Sequence, residues 1–352
     1  MKDYLIIGHG LAGAVLAHSL TEKNHSVMVI DQPNENHSST VAAGLYNPIT
    51  GRQMVKTWLA DEIFSMLEPF YRKLEQHLDA IFLQAIGIYR PFVNQEEQND
   101  WDIKQSDEKF SPFISFIRKK HHPEYQLDDP FGGIQLKPAG FLQIPKLLQS
   151  SKEKLLHQAS YLEEEYDETR LVVASNHVEY NGETYRKLIY ANGTRALNTN
   201  LFGWVPLRPV KGEILRGKLD KPLKTILNRG VFILPTDTGL VRIGSNYQHH
   251  FEDILPSDKG QEEITRKLES LLHEPIEIVD SVAGVRPATK DRRPIIGKHP
   301  EYEHIYLFNG FGSKGVSLIP FFTDKFLTYL SDETPLMEEV NITRYYKAYP
   351  SK

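Results

Sequence analysis

Three glycines at a fixed spacing, Gly8-His-Gly10-Leu-Ala-Gly13, and an acid at Asp31 form the first group of residues able to do chemistry. Gly8 permits a tight turn, Gly10 lets a pyrophosphate approach the backbone, and Gly13 lets a helix pack closely on a strand. Asp31 stands some eighteen residues past Gly13, near the spacing of an acid that accepts from ribose hydroxyls and repels a 2′-phosphate. A second run, Asn309-Gly310-Phe-Gly312-Ser313-Lys314-Gly315, precedes another apolar stretch of helical spacing. A helix N-terminus there offers N–H groups and a positive dipole end to negative charge. On these residues alone the dinucleotide is NAD or FAD.

Several elements must position these groups. Residues 4–7 read as a buried strand, and Ala12, Val15, Leu16 and Leu20 mark one face of the following helix. Residues 27–30 are a second strand ending at Asp31, which supplies the strand–turn–helix–strand context that the glycine motif requires. A polar loop is expected over 32–40, then the small-residue run Val41-Ala42-Ala43-Gly44-Leu45, where backbone can approach a ligand. Helices are expected over 57–78, 142–156, 261–272 and 316–330. Residues 85–93 read as a strand, placed at a sheet edge because of Pro91. Residues 111–130 read as a surface excursion. Short strands are expected at 171–174, around Val172, and at 187–191, the second entering the Asn192-Gly193 turn. Residues 205–244 alternate between apolar and polar in the manner of an antiparallel sheet. The last third returns to a strand at 305–308.

The bulk composition excludes several classes. The chain has 352 residues, room for two domains. With 40% hydrophobic and 25% charged residues it has the make-up of a folded globular protein. A net charge of −5 gives no global pull toward nucleic acid or anionic membrane. The absence of cysteine removes disulfides, thiolate metal sites, a cysteine nucleophile and a thioether-linked flavin, and fits a cytoplasmic protein. No run is long enough to span a bilayer, and a cleaved leader is not expected because cleavage would destroy the first strand. His121-His122 has no acid at ligand spacing in the sequence, so no metal site is expected.

Taken together, these stretches resemble the FAD-dependent oxidoreductases that include D-amino acid oxidase, glycine oxidase and sarcosine oxidase. The resemblance covers nearly the whole chain. It rests on the 8–13 motif with Asp31, on Val41 to Leu45, on Pro209-Val-Lys-Gly212-Glu-Ile-Leu215, on Ala283-Gly-Val-Arg286-Pro through Gly297, and on Gly310 to Gly315. Within the family it is similar to the oxidase domains of bifunctional tRNA-modifying enzymes of the MnmC type, in Gly284 to Pro294, Gly312-Ser-Lys314-Gly315, Ile243-Gly-Ser-Asn-Tyr247 and Leu45-Tyr46. This sequence departs from that pattern in lacking the attached methyltransferase domain and in its acidic net charge.

The resemblance implies an α/β fold of mixed α+β character. A Rossmann-like FAD domain (1–72, 139–206 and 281–352) would carry an inserted antiparallel-sheet substrate domain (73–138 and 207–280). It implies an oxidase or dehydrogenase acting on the C–N bond of an amine or amino acid that bears a carboxylate. Arg286 would hold that carboxylate; its plainer reading is an arginine capping loop carbonyls. Tyr46 and Tyr247 are further pocket candidates, or else core aromatics. Lys314 would set positive charge at the flavin, or else face solvent.

Cofactor contacts are implied for Gly8, Gly10, Leu11, Ala12, Gly13 and Asp31, for Ala42, Ala43, Gly44 and Leu45, and for Val172, Asn192 and Gly193. Arg286, Gly312, Ser313, Lys314, Gly315 and Val316 complete that set. FAD is expected to be non-covalent, since Val41 stands where histidine-linked members carry the histidine. Arg292 and Arg293 could serve phosphate or face solvent. A small amine or amino acid is the expected substrate, with the same oxidation on a carboxymethylaminomethyl uridine of tRNA as the alternative. That alternative needs basic surface near the pocket, and Arg118-Lys-Lys120 is the densest basic run. A flavin-binding protein without turnover and a nicotinamide dehydrogenase are the remaining alternatives. No membrane partner is expected.

Overall fold

The computed structural model describes residues 1–32, 38–332 and 334–350. The first strand, Lys2–Ile7, is flanked in parallel by Val27–Asp31 on one side and Glu183–Tyr190 on the other. Tyr161–Glu163 extends the layer beyond Asp31, and Ile305–Asn309 extends it beyond Tyr190. The parallel order is therefore 161–163, 27–31, 2–7, 183–190, 305–309, with Ile295–Lys298 antiparallel at the end. The central strands 4–7, 27–30 and 305–308 read as unbroken apolar runs because both faces are covered. The helices Leu11–Glu22, Ala60–Leu78, Ile144–His157 and Gly315–Asp332 pack on one face. The Gly193–Asn198 turn and the tail helix Ile342–Ala348 close the other.

The second sheet has eight strands in the order 277–289, 207–218, 240–244, 232–235, 226–228, 88–91, 133–136, 114–118. Its spine is the pairing of Leu207–Lys218 with Glu277–Thr289, which runs with one irregularity from Leu207↔Thr289 to Lys218↔Glu277. Sequence periodicity did not reveal the 277–289 strand. Its burial follows no clean alternation, because its two faces meet different partners. It also runs through residue 281, where a domain boundary was expected.

Three other expectations change. Ile88–Pro91 is an interior strand, not an edge. Its parallel neighbour pairs only with Ile88 and Tyr89, so Pro91 sits past the end of that ladder, where a missing N–H costs nothing. Residues 114–118, inside the expected excursion, form the edge strand of this sheet. Ser38–Val41 is a short helix where the 32–40 loop was expected to continue; residues 33–37 of that loop lie outside the described residues. Among the described residues no helix is long and apolar enough to cross a membrane.

The glycine turn is anchored to the helix layer by a polar tie. The Ser151 hydroxyl meets His9 Nε2 at 2.7 Å and His18 Nε2 at 2.8 Å, and all three residues are buried. Burial, followed by the nearby His77 and Lys154, pushes the His18 pKa down to about 3 from its usual 6.5. The unfolded chain therefore binds a proton that the folded one refuses as pH falls from 6.5 toward 3, and stability drops over that window. A His18→Asn variant should show a shallower fall in unfolding free energy on acidification, by up to about 1.4 kcal/mol per pH unit. Urea titrations across that pH range check it; an unchanged slope would show that His18 takes its proton without unfolding.

Candidate functional site

The first strand delivers the backbone into Gly8, whose φ is +104°. A Cβ there would lie 2.8 Å from Ala191 O and from Asn192 Cα, and one on Gly13 would lie 1.9 Å from Gly8 O. Turn, helix and the end of the neighbouring strand are thus in backbone contact, which leaves Gly as the residue that fits at both positions. Gly10 caps the helix in extended conformation with no side-chain bond. Ser39 Oγ accepts from Leu11 N at 3.1 Å, while the Ala12 and Gly13 N–H groups lie in the first turn, which has no intrahelical acceptors. Asp31 ends the second strand with its side chain buried.

Asn192 and Gly193 follow the 183–190 strand, beside this turn. The Asn192 side-chain oxygen is buried with no donor. Asn309 Nδ2 donates to Gly193 O at 2.8 Å, and its Oδ1 accepts from Gly310 N at 2.8 Å. One amide therefore ties the first glycine region to the second. Gly310 and Gly312 both take positive φ, and Gly312 stands against Ala288 of the long strand. Lys314 follows, half-buried; among the described residues its ammonium has no carboxylate or hydrogen-bond partner. Burial pushes its pKa down to about 8. Ser313 is exposed, Gly315 begins the last helix and Val316 is buried in its first turn.

The small-residue loop lies between the two sheets. Gly44 has φ +76°, and a Cβ on it would lie 2.0 Å from Leu142 O. Leu45–Tyr46 then pairs with Gly140–Leu142. Arg242 donates from Nη1 to Ala42 O at 3.0 Å and from Nη2 to Val41 O. Its guanidinium has no acid partner among the described residues, and burial, then Arg216, lowers its pKa to about 10. A Cβ on Gly284 would lie 3.0 Å from Val41 Cβ, so the long strand also packs on this loop. Pairing places Gly212 opposite Gly284, Val210 opposite Arg286 and Arg216 opposite Arg242. Alternate residues share a face, so Arg242, Gly212, Gly284 and Arg286 all project toward the loop side.

Arg286 is the centre of this face. Its guanidinium lies on Gly212, where a Cβ would sit 2.1 Å from Nη1. Nη2 donates to Ser245 Oγ at 2.9 Å and Nη1 to Asn246 O at 3.5 Å, and the group lies 4.6 Å from the Tyr247 ring centroid. Burial lowers its pKa and Tyr247 partly opposes that shift. Among the described residues it pairs with no carboxylate. A half-buried cation held only by neutral groups retains capacity for an anion, and a guanidinium fork matches a carboxylate.

Two expected site residues fall elsewhere. Tyr46 is 1% exposed and donates to Glu68 Oε1 at 2.9 Å, so its hydroxyl points into the core under the 60–78 helix and not to Arg286. Burial raises its pKa further. Val172 is 56% exposed on the outer strand Leu171–Val173, separated from Glu183–Tyr190 by Val178–Tyr180. The structure does not bring it to the glycine turn. Sequence reasoning assigned no site role to Arg242 or Ser39, nor to the Asn309 side chain, the Ser245 hydroxyl or the Asn246 carbonyl. Only Arg242 left a signal, as a charge within the apolar strand Leu240–Gly244.

The basic run Arg118–Lys120 is on or beside the edge strand 114–118, at the opposite end of the sheet from the strand carrying Arg286. Seven strand spacings separate these edges, about 34 Å along the sheet. An acid does stand near the histidine pair: buried Asp129 Oδ1 is 2.8 Å from His121 Nδ1. Among the described residues no group of three or more metal-ligating side chains comes together.

Comparison with known proteins agrees with this layout. The family model described as FAD dependent oxidoreductase matches residues 3–327. The bifunctional tRNA 5-methylaminomethyl-2-thiouridine biosynthesis protein MnmC of Idiomarina loihiensis is 22% identical over 98% of this chain, which spans 59% of that protein's length. Glycine oxidase of Pseudomonas aeruginosa is 23% identical over 95% of this chain and 96% of its own. The crystal structure of glycine oxidase from Geobacillus kaustophilus superposes with a TM-score of 0.76 at 21% identity over 95% of each chain, a likeness of fold.

The unpartnered Lys314 ammonium gives a test independent of any ligand. In the unfolded chain a lysine titrates near 10.5, against about 8 here. The folded state is therefore penalised at neutral pH, and the penalty fades as pH rises from 8 to 10.5. Lys314→Met should raise the melting temperature of cofactor-free protein at pH 7 by a few degrees, with the advantage shrinking over that window. Calorimetry at pH 7 and pH 10 measures it; an equal effect at both would mean that the charge is not the cause.

Proposed function

Because this chain belongs to the FAD-dependent oxidoreductase family, we propose that it oxidises the C–N bond of a small amine or amino acid bearing a carboxylate, with the carboxylate on Arg286. The observation that carries this reading is the half-buried Arg286 guanidinium, without an acid partner among the described residues, on the face that meets the 41–44 loop. The chain's own groups fit FAD. The close-packed Gly8–Gly13 turn and its helix N-terminus suit a pyrophosphate. The orphaned Asn192 oxygen suits a ligand hydroxyl, and Lys314 with the N–H groups at the start of the last helix suits negative charge.

Bound FAD supplies the acceptor for two electrons. Arg286 fixes the carboxylate, and with it the direction of the adjacent C–H bond. Tyr247 covers the guanidinium from the solvent side and limits water around it. The substrate carbon loses a hydride and its nitrogen a proton. Water adds to the resulting imine and splits it into a carbonyl acid and an amine. No side chain need act as a strong base if the amine binds neutral. FAD held without a covalent bond and a cytoplasmic setting belong to the same proposal.

A second reading takes the same oxidation to a modified uridine in RNA. It is favoured by Lys290 and Arg292, both exposed and without a carboxylate partner among the described residues, on the turn that leads from the Arg286 strand toward Gly310. The 118–120 run does not support it, because of its place at the far edge.

Anaerobic addition of glycine, sarcosine and N-carboxymethyl amines should bleach the flavin absorbance, and Arg286→Ala should slow bleaching by at least a hundredfold, an effect of about 3–5 kcal/mol. Equal rates in the variant would remove Arg286 from the site. Bleaching by modified tRNA alone, with a rate that falls steeply with salt, would select the second reading. If none of these amines bleached bound FAD, the chain would be a flavin-binding protein without this activity. Acid precipitation should leave the yellow colour in the supernatant, whereas a yellow pellet would mean a covalent link.

A further inference from the structure

Beneath Arg286, on the opposite face of the same strands, lies a buried ion pair that the reaction does not use. Lys211 is 3% exposed and Glu213 is 1% exposed. Lys211 Nζ lies 3.4 Å from Glu213 Oε1 and 3.6 Å from Asp253 Oδ1. Burying two charges is costly unless their remaining hydrogen-bonding positions are filled. Here they are filled almost wholly by one loop, residues 245–257, which joins the 240–244 strand to the helix Asp258–Glu269.

Gln248 Nε2 and Ser257 Oγ both donate to Glu213 Oε1 at 2.9 Å. Glu213 N donates to Asn246 Oδ1 at 2.8 Å, with Asn246 fully buried. Backbone bonds in both directions join Lys211 to Gln248, at 3.0 and 2.9 Å. Glu213 Oε2 is also packed against Gly260, where a Cβ would lie 1.6 Å away, so the first turn of the helix fits this carboxylate closely. The loop is therefore fastened at Asn246, Gln248, Asp253 and Ser257. Between the fastenings it leaves exposed side chains such as Leu255.

The same loop supplies every neutral group found on the Arg286 guanidinium: Ser245 Oγ, Asn246 O and the Tyr247 ring. Its fastened end and its Arg286 end are the same few residues. We infer that Glu213 is a positioning residue for carboxylate recognition, acting through the 245–248 backbone to hold Arg286 flat on Gly212. This rests on the reading of Arg286 as the carboxylate site.

Glu213→Gln keeps the shape but replaces one acceptor oxygen by a donor and leaves Lys211 with Asp253 as its one acidic neighbour among the described residues. The main-chain bonds to Asn246 and Gln248 remain, but the Gln248 and Ser257 side chains lose their charged acceptor, so the 245–257 loop is held less firmly and the guanidinium direction is less fixed, while the cofactor contacts are untouched.

The test uses the FAD-loaded enzyme and acetate as the probe, read by the change in flavin absorbance. Glu213→Gln should weaken acetate binding at least tenfold and raise KM for a carboxylate-bearing amine by a similar factor. The dissociation constant for FAD should stay within twofold of wild type, and KM for an amine without a carboxylate should not change. Glu213→Asp should restore part of the acetate affinity. Gln248→Leu, which removes one fastening and keeps the ion pair, should weaken acetate severalfold if Glu213→Gln fails to fold. Wild-type protein that binds no acetate would overturn the carboxylate reading itself. Wild-type binding with unchanged affinity in the variants would overturn the positioning role alone, as would an equal loss for substrates with and without a carboxylate.

Discussion

A cation taken out of water must be surrounded by something, and in this protein three cations near the site have no acid partner among the described residues. Arg242 is met by the Val41 and Ala42 carbonyls, Arg286 by a hydroxyl, a carbonyl and an aromatic ring, and Lys314 by none of these. Each shows its pKa pushed down by burial, which is the cost of desolvation left standing. Other buried charges do have acid–base partners, such as Lys211–Glu213 and Arg90–Glu97. The contrast leaves uncompensated positive charge on the sheet face that meets the 41–44 loop and at the start of the last helix. Such uncompensated charge lowers the stability of the folded chain.

The two sheets share this region because the chain crosses between them repeatedly. The 41–44 loop comes from the parallel layer and is held by Arg242 of the antiparallel sheet. The 277–289 strand is the edge of the second sheet, yet its end leads into Ile295–Lys298, which pairs with Ile305–Asn309 in the first. Asn309 then returns to Gly193. Register matters more here than in an ordinary edge strand. A slip of one residue would turn Arg286 and Gly284 to the wrong face and bring Ala283 and Val285 in their place.

Much of the cofactor region was legible in the sequence because backbone geometry there depends on residue type. A Cβ at Gly8 or Gly13 would overlap backbone, so the glycines are visible as glycines. Strands buried on both faces show as apolar runs, and Asp31 closes one of them. What could not be read depends on partners far away in sequence. Tyr46 has the composition of a pocket residue, and only Glu68, placed by a helix, shows that its hydroxyl is taken. Val172 sits in an apolar triplet whose neighbours leave it at the surface. The 277–289 strand has Gly, Pro and charge at positions that break a simple alternation, each forced by a different contact. Pro91 was misleading for a related reason: the rule about edges concerns the local ladder, and the ladder had already ended.

Arg242 reaches across 200 residues of sequence to hold Ala42, and that distance has a temporal meaning. During synthesis the glycine turn, Asp31 and the small-residue loop emerge early, while the strand that secures the loop and the 309–315 turn that completes the cradle emerge far later. The N-terminal portion therefore leaves the ribosome as an unfinished vessel. Packing of the glycine turn and the small-residue loop is completed late in the life of the chain, and a truncated product presents the turn without the strand that secures its neighbour.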